Sequence, residues 1–333
     1  MLRQGIREAA RGVAQVTRRA STVTDLLQAD QPPPAPAKRP VSHPISPTLP
    51  DIVLAGPTSR TVNIDELLAR AAEGALESRL EAVRALARTS VRATVTPGLR
   101  ASSWLGGEPF LGGAPWPQLG EEPMPFLARL ELPRGVDGSA DGSIAVFVSR
   151  DGSGAEGRAP RTGVLLLPSD GEAADADEHE TRNAPLGMSR ELQLPRAWSR
   201  PVHDLGLSEG EREAWEELRG WLAEAQGVTT FDRERGVLGL HRLLGFPDER
   251  SGNLPLLCEM QAAGVHGLKQ SPRSHPDWHR HEEGAKRWRL LLQLTRDPAT
   301  ARHFRDNETR LYVLAPAADL EAGDFSRVQA VFR

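Results

Sequence analysis

Cysteine is almost missing from this chain. Cys258 is the only one in 333 residues, so no internal disulfide framework staples the fold, and a reducing compartment suits it. Long apolar runs are missing as well. None approaches the ~18–20 residues of a membrane-spanning helix. No signal-peptide core follows the first arginines, and the twin arginines Arg18–Arg19 lead into a polar stretch. Cytoplasmic location is the expectation. Aromatic residues make up only 5% of the chain, with a single tyrosine, and no basic stripe is interleaved with them. Nucleic acid is therefore not an expected partner.

The net charge of −4 hides an asymmetry. Residues 1–60 carry eight Lys or Arg against four acids, so the rest of the chain stands at −8. Residues 2–20 have a helical period, with Leu2, Ile6, Val13 and Val16 on one face and Arg3, Arg7 and Arg11 on another. Such a helix can make weak peripheral membrane contact or enter a partner's groove. Residues 31–60 hold nine of the 27 prolines, which predicts an extended linker. The expected organisation is a disordered basic arm and linker over residues 1–60, then one α+β domain over 61–333.

Within that domain Asn63 caps a helical face expected to run to about Arg88, and Ser208 with Glu211 caps a second helix to about Gln226. A shorter helix is expected over 254–263. Strands are expected at 126–132, 144–149, 164–167, 289–295, 311–314 and 328–332, with a turn of helix at 317–321. These imply a mixed, mainly antiparallel sheet with flanking helices. The strand pair 126–149 resembles the pair 289–314, a possible internal pseudo-repeat. The acidic stretch 169–185 reads as a surface excursion.

Several segments carry a family resemblance. They are Gly106-Gly107-Glu108-Pro109 with Trp116-Pro117; Met124 to Leu130; His241-Arg242-Leu243-Leu244-Gly245-Phe246-Pro247; and Trp288 with Leu290 to Leu294. Arg310 to Leu314, Asp319-Leu320 and Phe325 to Val328 complete the set. In order and spacing they resemble the YwqG family, a bacterial domain of unknown function, across about residues 100–333. The resemblance implies an α+β fold, cytoplasmic location and no known cofactor, and it implies no reaction. Arg129 stands where that family usually has glutamine, and Thr295-Arg296-Asp297 replaces a more acidic run.

Several motifs fail on their surroundings. Gly152, Gly154 and Gly157 match a dinucleotide fingerprint, but no helix can start at Arg158-Ala159-Pro160, so a hairpin loop is expected. Gly206, Ser208 and Gly210 match a nucleophile elbow without the buried strand it needs; Ser208 reads as a helix cap. Asp137 to Gly142 imitates a calcium loop whose twelfth position is Val148, not an acid. His275, His279 and His281 are candidate metal ligands, with Asp277, Glu282 and His266 nearby, on what reads as an exposed loop.

The stretch 104–117 has too many glycines and prolines for regular structure. As a long ordered loop with Trp104 and Trp116 it packs the core or lines a pocket, with Arg129 as a positive partner. A ligand cleft is expected where it meets His241, Asp248 and Glu259. With no complete catalytic set, the leading expectation is a binding module for an unknown protein or small molecule. The alternative is a hydrolase-like enzyme using His241 with Asp248 or Glu259, with or without the help of a metal ion.

Overall fold

The computed structural model describes residues 62–99, 101–109, 111–136, 140–149, 161–167, 183–228, 231–232, 236–237, 241–249, 254–265, 272–304 and 309–333. All of them fall within one compact unit. The N-terminal arm, the proline-rich linker, the Gly152–Gly157 loop and His266 lie outside the described residues.

Two helices, α1 (Ile64–Ala72) and α2 (Leu80–Leu86), lead into strand β1 (Arg88–Val95). Then come β2 (Trp104–Gly106), the small hairpin β3 (Gln118–Leu119) and β4 (Glu122–Pro123), and β5 (Phe126–Glu131), β6 (Ser143–Ser149), β7 (Arg161–Leu167) and β8 (Asn183–Gln193). Helices α3 (Arg200–His203) and α4 (Glu209–Ala225) follow, then β9 (Phe231–Asp232), β10 (Gly236–Val237) and β11 (His241–Leu243). The chain closes with α5 (Leu254–Ala262), α6 (Trp278–Ala285), β12 (Trp288–Thr295), β13 (Arg310–Pro316), α7 (Ala317–Ala322) and β14 (Gln329–Phe332).

Ten strands form one sheet in the order β14-β13-β12-β11-β1-β8-β2-β5-β6-β7, with every pair antiparallel. Its two edges, β14 and β7, approach each other, so the sheet nearly closes into a barrel. The strand pairs that look alike in sequence stand in meanders at opposite ends of this order.

Side-chain alternation divides the wall. Val91, Ala93, Leu243, Leu292, Leu294, Leu311, Val313 and Ala330 belong to the barrel core. Leu290, Tyr312, Leu314 and Val331 lie on the outer face, where Leu254, Leu257 and Cys258 of α5 cover them. The long strand β8 serves two cores: Leu186 sits inside the barrel, and Leu192 packs with Leu67 of α1, Val83 of α2 and Trp215 of α4.

The caps form as the sequence predicts. Asn63 accepts from the Glu66 amide at 2.9 Å. Ser208 and Glu211 make a reciprocal capping box for α4. Glu211 also receives Arg79 Nε at 2.6 Å, and that bond, with the cap, holds its carboxyl down at about 2. The helix expected to continue to Arg88 instead breaks after Ala72 near Gly74, turns through Glu77–Arg79 and ends at Leu86, so β1 begins there. Residues 275–281 are not a loop throughout, since α6 starts at Trp278. Strand β8 begins within the stretch expected to be a surface excursion, despite Pro185 and Gly187.

Among the described residues no helix is long and apolar enough to cross a membrane.

Candidate functional site

Two polar regions stand out, one sealed and one open. The sealed one lies on the outer face of the barrel wall. Alternation along β1, β8, β11 and β12 turns Ser90, Arg92, Glu191, Arg242 and Gln293 outward, opposite to the apolar core. The segment after β11 then folds over them. Leu244 and Gly245 both have positive φ, 59° and 71°. A non-glycine residue in that region carries roughly 1–2 kcal/mol of backbone strain. Gly245 has no alternative: a Cβ there would overlap the Gln193 amide oxygen and sit 2.7 Å from Ser90 Cβ.

This turn presents Phe246 to Gln193, whose amide accepts from the Phe246 N–H and donates to its carbonyl, both at 2.8 Å. It then delivers Asp248 to the centre of the charged layer. Asp248 is 1% exposed, and nearly every polar atom is engaged. Its carboxylate accepts from Arg219 at 3.0 Å and Arg242 at 3.4 Å, with Arg196 at 3.8 Å. Its carbonyl accepts from Arg310 at 2.8 Å and Tyr312 at 3.0 Å. Its amide donates to Gln293 at 2.9 Å.

Glu191 accepts from Arg242 at 2.7 and 2.9 Å, and Glu216 from Arg219 at 2.6 Å and the Ala197 amide at 2.6 Å. Burial and the neighbouring Arg219 bring Arg196 down to about 10. Burial lowers Arg242 too, but Glu191 and Asp248 more than reverse it. A cavity of about 30 Å³, lined in part by Glu191, Arg219, Arg242 and Asp248, lies inside this layer. It has room for about one water, not a substrate.

The open region is a cleft of about 810 Å³ at one end of the barrel. It lies where β1 ends at Val95, β8 starts at Asn183 and β5 starts at Phe126. One wall is the glycine-rich loop, through Gly107, Glu108, Trp116 and Met124; the facing wall is Asp297, Pro298, Ala299 and Arg302, after β12. Trp116 is 36% exposed, stacks edge-on against Phe147 at 5.1 Å and donates Nε1 to the Met124 carbonyl at 2.8 Å. Asp297 caps its own turn by accepting from the Ala299 amide at 2.9 Å. Arg302 Nε donates to His303 Nε2 at 3.1 Å.

The candidate residues are divided between these places. Trp116 lines the cleft. His241 is buried at this same end, its Nδ1 accepting from the Thr295 amide at 3.3 Å, two residues before Asp297. Burial lowers its pKa to about 4, and Asp297 opposes that in part. Asp248 is the hub of the sealed layer. Glu259 on α5 accepts from Trp288 Nε1 at 2.7 Å and pairs with Arg287 at 2.8 Å, in space that any side chain at Gly284 would occupy. No hydrogen bond joins His241, Asp248 and Glu259 to one another.

Trp104 and Arg129 face each other across β2 and β5, with the guanidinium 5.3 Å from the ring. Both are buried and do not line the cleft, although Trp104 packs with its lining residues Met124 and Phe126, and burial lowers Arg129's pKa. His275 Nδ1 accepts from the Asp277 amide, His279 stacks on Trp278, and His281 lies two positions further along the helix. Among the described residues no three His, Cys, Asp or Glu side chains gather as a metal ion requires. Sequence reasoning missed Glu108, Asp297 and Arg302 as cleft residues, because nothing in linear order places residue 108 opposite residue 302.

A family model described as "Domain of unknown function (DUF1963)" matches residues 103–332, and the chain belongs to that family. No curated protein matches it.

Proposed function

We propose that this chain, as a YwqG-like cytoplasmic member of its family, is a binding module whose small-molecule ligand enters the cleft at the barrel end. The observation that carries this reading is the cleft itself. Its volume of about 810 Å³ lies in the range of small-molecule sites, and it combines an apolar wall with a few polar groups. Hydrolysis by His241 with Asp248 or Glu259 has less support. Both carboxylates are engaged by arginines elsewhere, and the His241 Nδ1 lone pair is taken by a backbone amide.

The test is thermal unfolding of the full chain against a panel of common metabolites. A ligand at ~100 times its Kd stabilises a fold by ~2.7 kcal/mol, a rise of roughly 5 °C or more here. The shift is expected to disappear in Trp116→Ala. A shift that survives this substitution places the ligand elsewhere, and chemical conversion of the ligand would replace the binding reading with an enzymatic one.

A further inference from the structure

Resting on that reading of the cleft, we infer that its ligand is zwitterionic with an apolar body, of the class of a short unblocked peptide. Arg302 takes the carboxylate, and Asp297 with Glu108 takes the ammonium group.

The cleft presents both signs of charge beside an apolar wall formed by Trp116, Met124 and Phe126. The Arg302 side chain is held through Nε by His303, which leaves its two Nη groups without a protein partner among the described residues. That end of a guanidinium forms paired hydrogen bonds with a carboxylate. Asp297 is fixed the same way: one oxygen accepts from the Ala299 amide, and no described residue donates to the other. Glu108, on the opposite wall, has no partner among the described residues.

A purely anionic ligand would face two carboxylates, and a purely cationic one would face Arg302. A neutral apolar ligand would desolvate all three groups and return no hydrogen bonds, an unfavourable exchange. A molecule carrying an ammonium and a carboxylate satisfies both signs, while its side chains cover the apolar wall. Trp116 adds to the lining an aromatic ring, whose face attracts a cation.

The experiment compares four pools of apolar dipeptides by thermal shift and by calorimetry on the full chain: unblocked, N-acetylated, C-amidated and doubly blocked. The unblocked pool is expected to bind, and each single block to weaken binding about tenfold or more, as loss of a charge-assisted hydrogen bond does. In Arg302→Gln, amidated and free-carboxylate peptides should bind alike. In the double variant Asp297→Asn with Glu108→Gln, which keeps the acceptor for Ala299 and removes both acidic charges, acetylated and free-amine peptides should bind alike. Doubly blocked peptides binding as well as unblocked ones, in a Trp116-dependent way, would overturn the zwitterion while leaving the cleft as the site. No shift from any of the four pools would also overturn it, and the metabolite panel then judges the cleft separately.

Discussion

The charged layer around Asp248 and the cleft around Trp116 hold similar residue types and put them to opposite use. In the layer, arginines and carboxylates are sealed from water and bonded to each other at 2.6–3.4 Å. In the cleft, Glu108 and Arg302 are exposed and keep polar atoms that no described residue engages. Mutual pairing of opposite charges is what an architectural clasp needs, because a buried charge without a counter-charge costs several kcal/mol. Unsatisfied, accessible groups are what a binding site needs, because only they have hydrogen bonds left to give. The comparison teaches that a carboxylate surrounded by arginines here marks structure, and that the ligand end lies where such neighbours are few.

The sharpest way to break that contrast is Asp248→Ala. It leaves Arg219 with Glu216 alone and Arg242 with Glu191 alone, an excess of buried positive charge, and the expected loss is about 3–5 kcal/mol in denaturant unfolding. A loss under about 1 kcal/mol would mean that the layer is not a clasp.

His241, at the boundary between the barrel core and the cleft, gives the next effect. Its folded pKa of about 4 lies below its ordinary 6.5, so the unfolded chain binds the proton first. Its contribution is intact above about pH 6.5 and is lost progressively as pH falls toward 4. The total is on the order of 3 kcal/mol, and the slope should vanish in His241→Gln. Equal slopes in both proteins would show that His241 is accessible in the native state.

Gly245→Ala should cost about 2–3 kcal/mol, from the overlap with Gln193 and the positive φ together. A neutral result would mean that the turn over the layer can relax. At the small end, Arg302→Gln in the exposed cleft wall should move stability by no more than about 0.5 kcal/mol. A large loss there would make the cleft wall part of the architecture and erase the distinction.

Much of the scaffold was legible before the structure. The apolar runs at 126–132, 144–149 and 289–295 are strands because their side chains fill a barrel wall on one or both faces. Ser208 with Glu211 is a helix start because the pair satisfies orphan amides locally. Strand β8 was hidden because its first residues lie at the end of the acidic stretch 169–185, which reads as a surface excursion. It persists as a strand because β1 and β2 pair along its length. The His241–Pro247 motif was visible as a motif, but its role was not. Its alternation sends His241 inward and Arg242 outward, a division that has meaning only once a barrel defines an inside.

By itself, then, the sequence determined the class of elements and their caps, which depend on neighbours within a few positions, and the absence of an internal disulfide framework, which follows from a single cysteine. Tertiary structure alone decided which carboxylates are buried partners and which residues share the cleft. Glu108 and Arg302, nearly two hundred residues apart in the chain, come to line one cleft through strand pairing and near-closure of the sheet, and no local pattern encodes that arrangement.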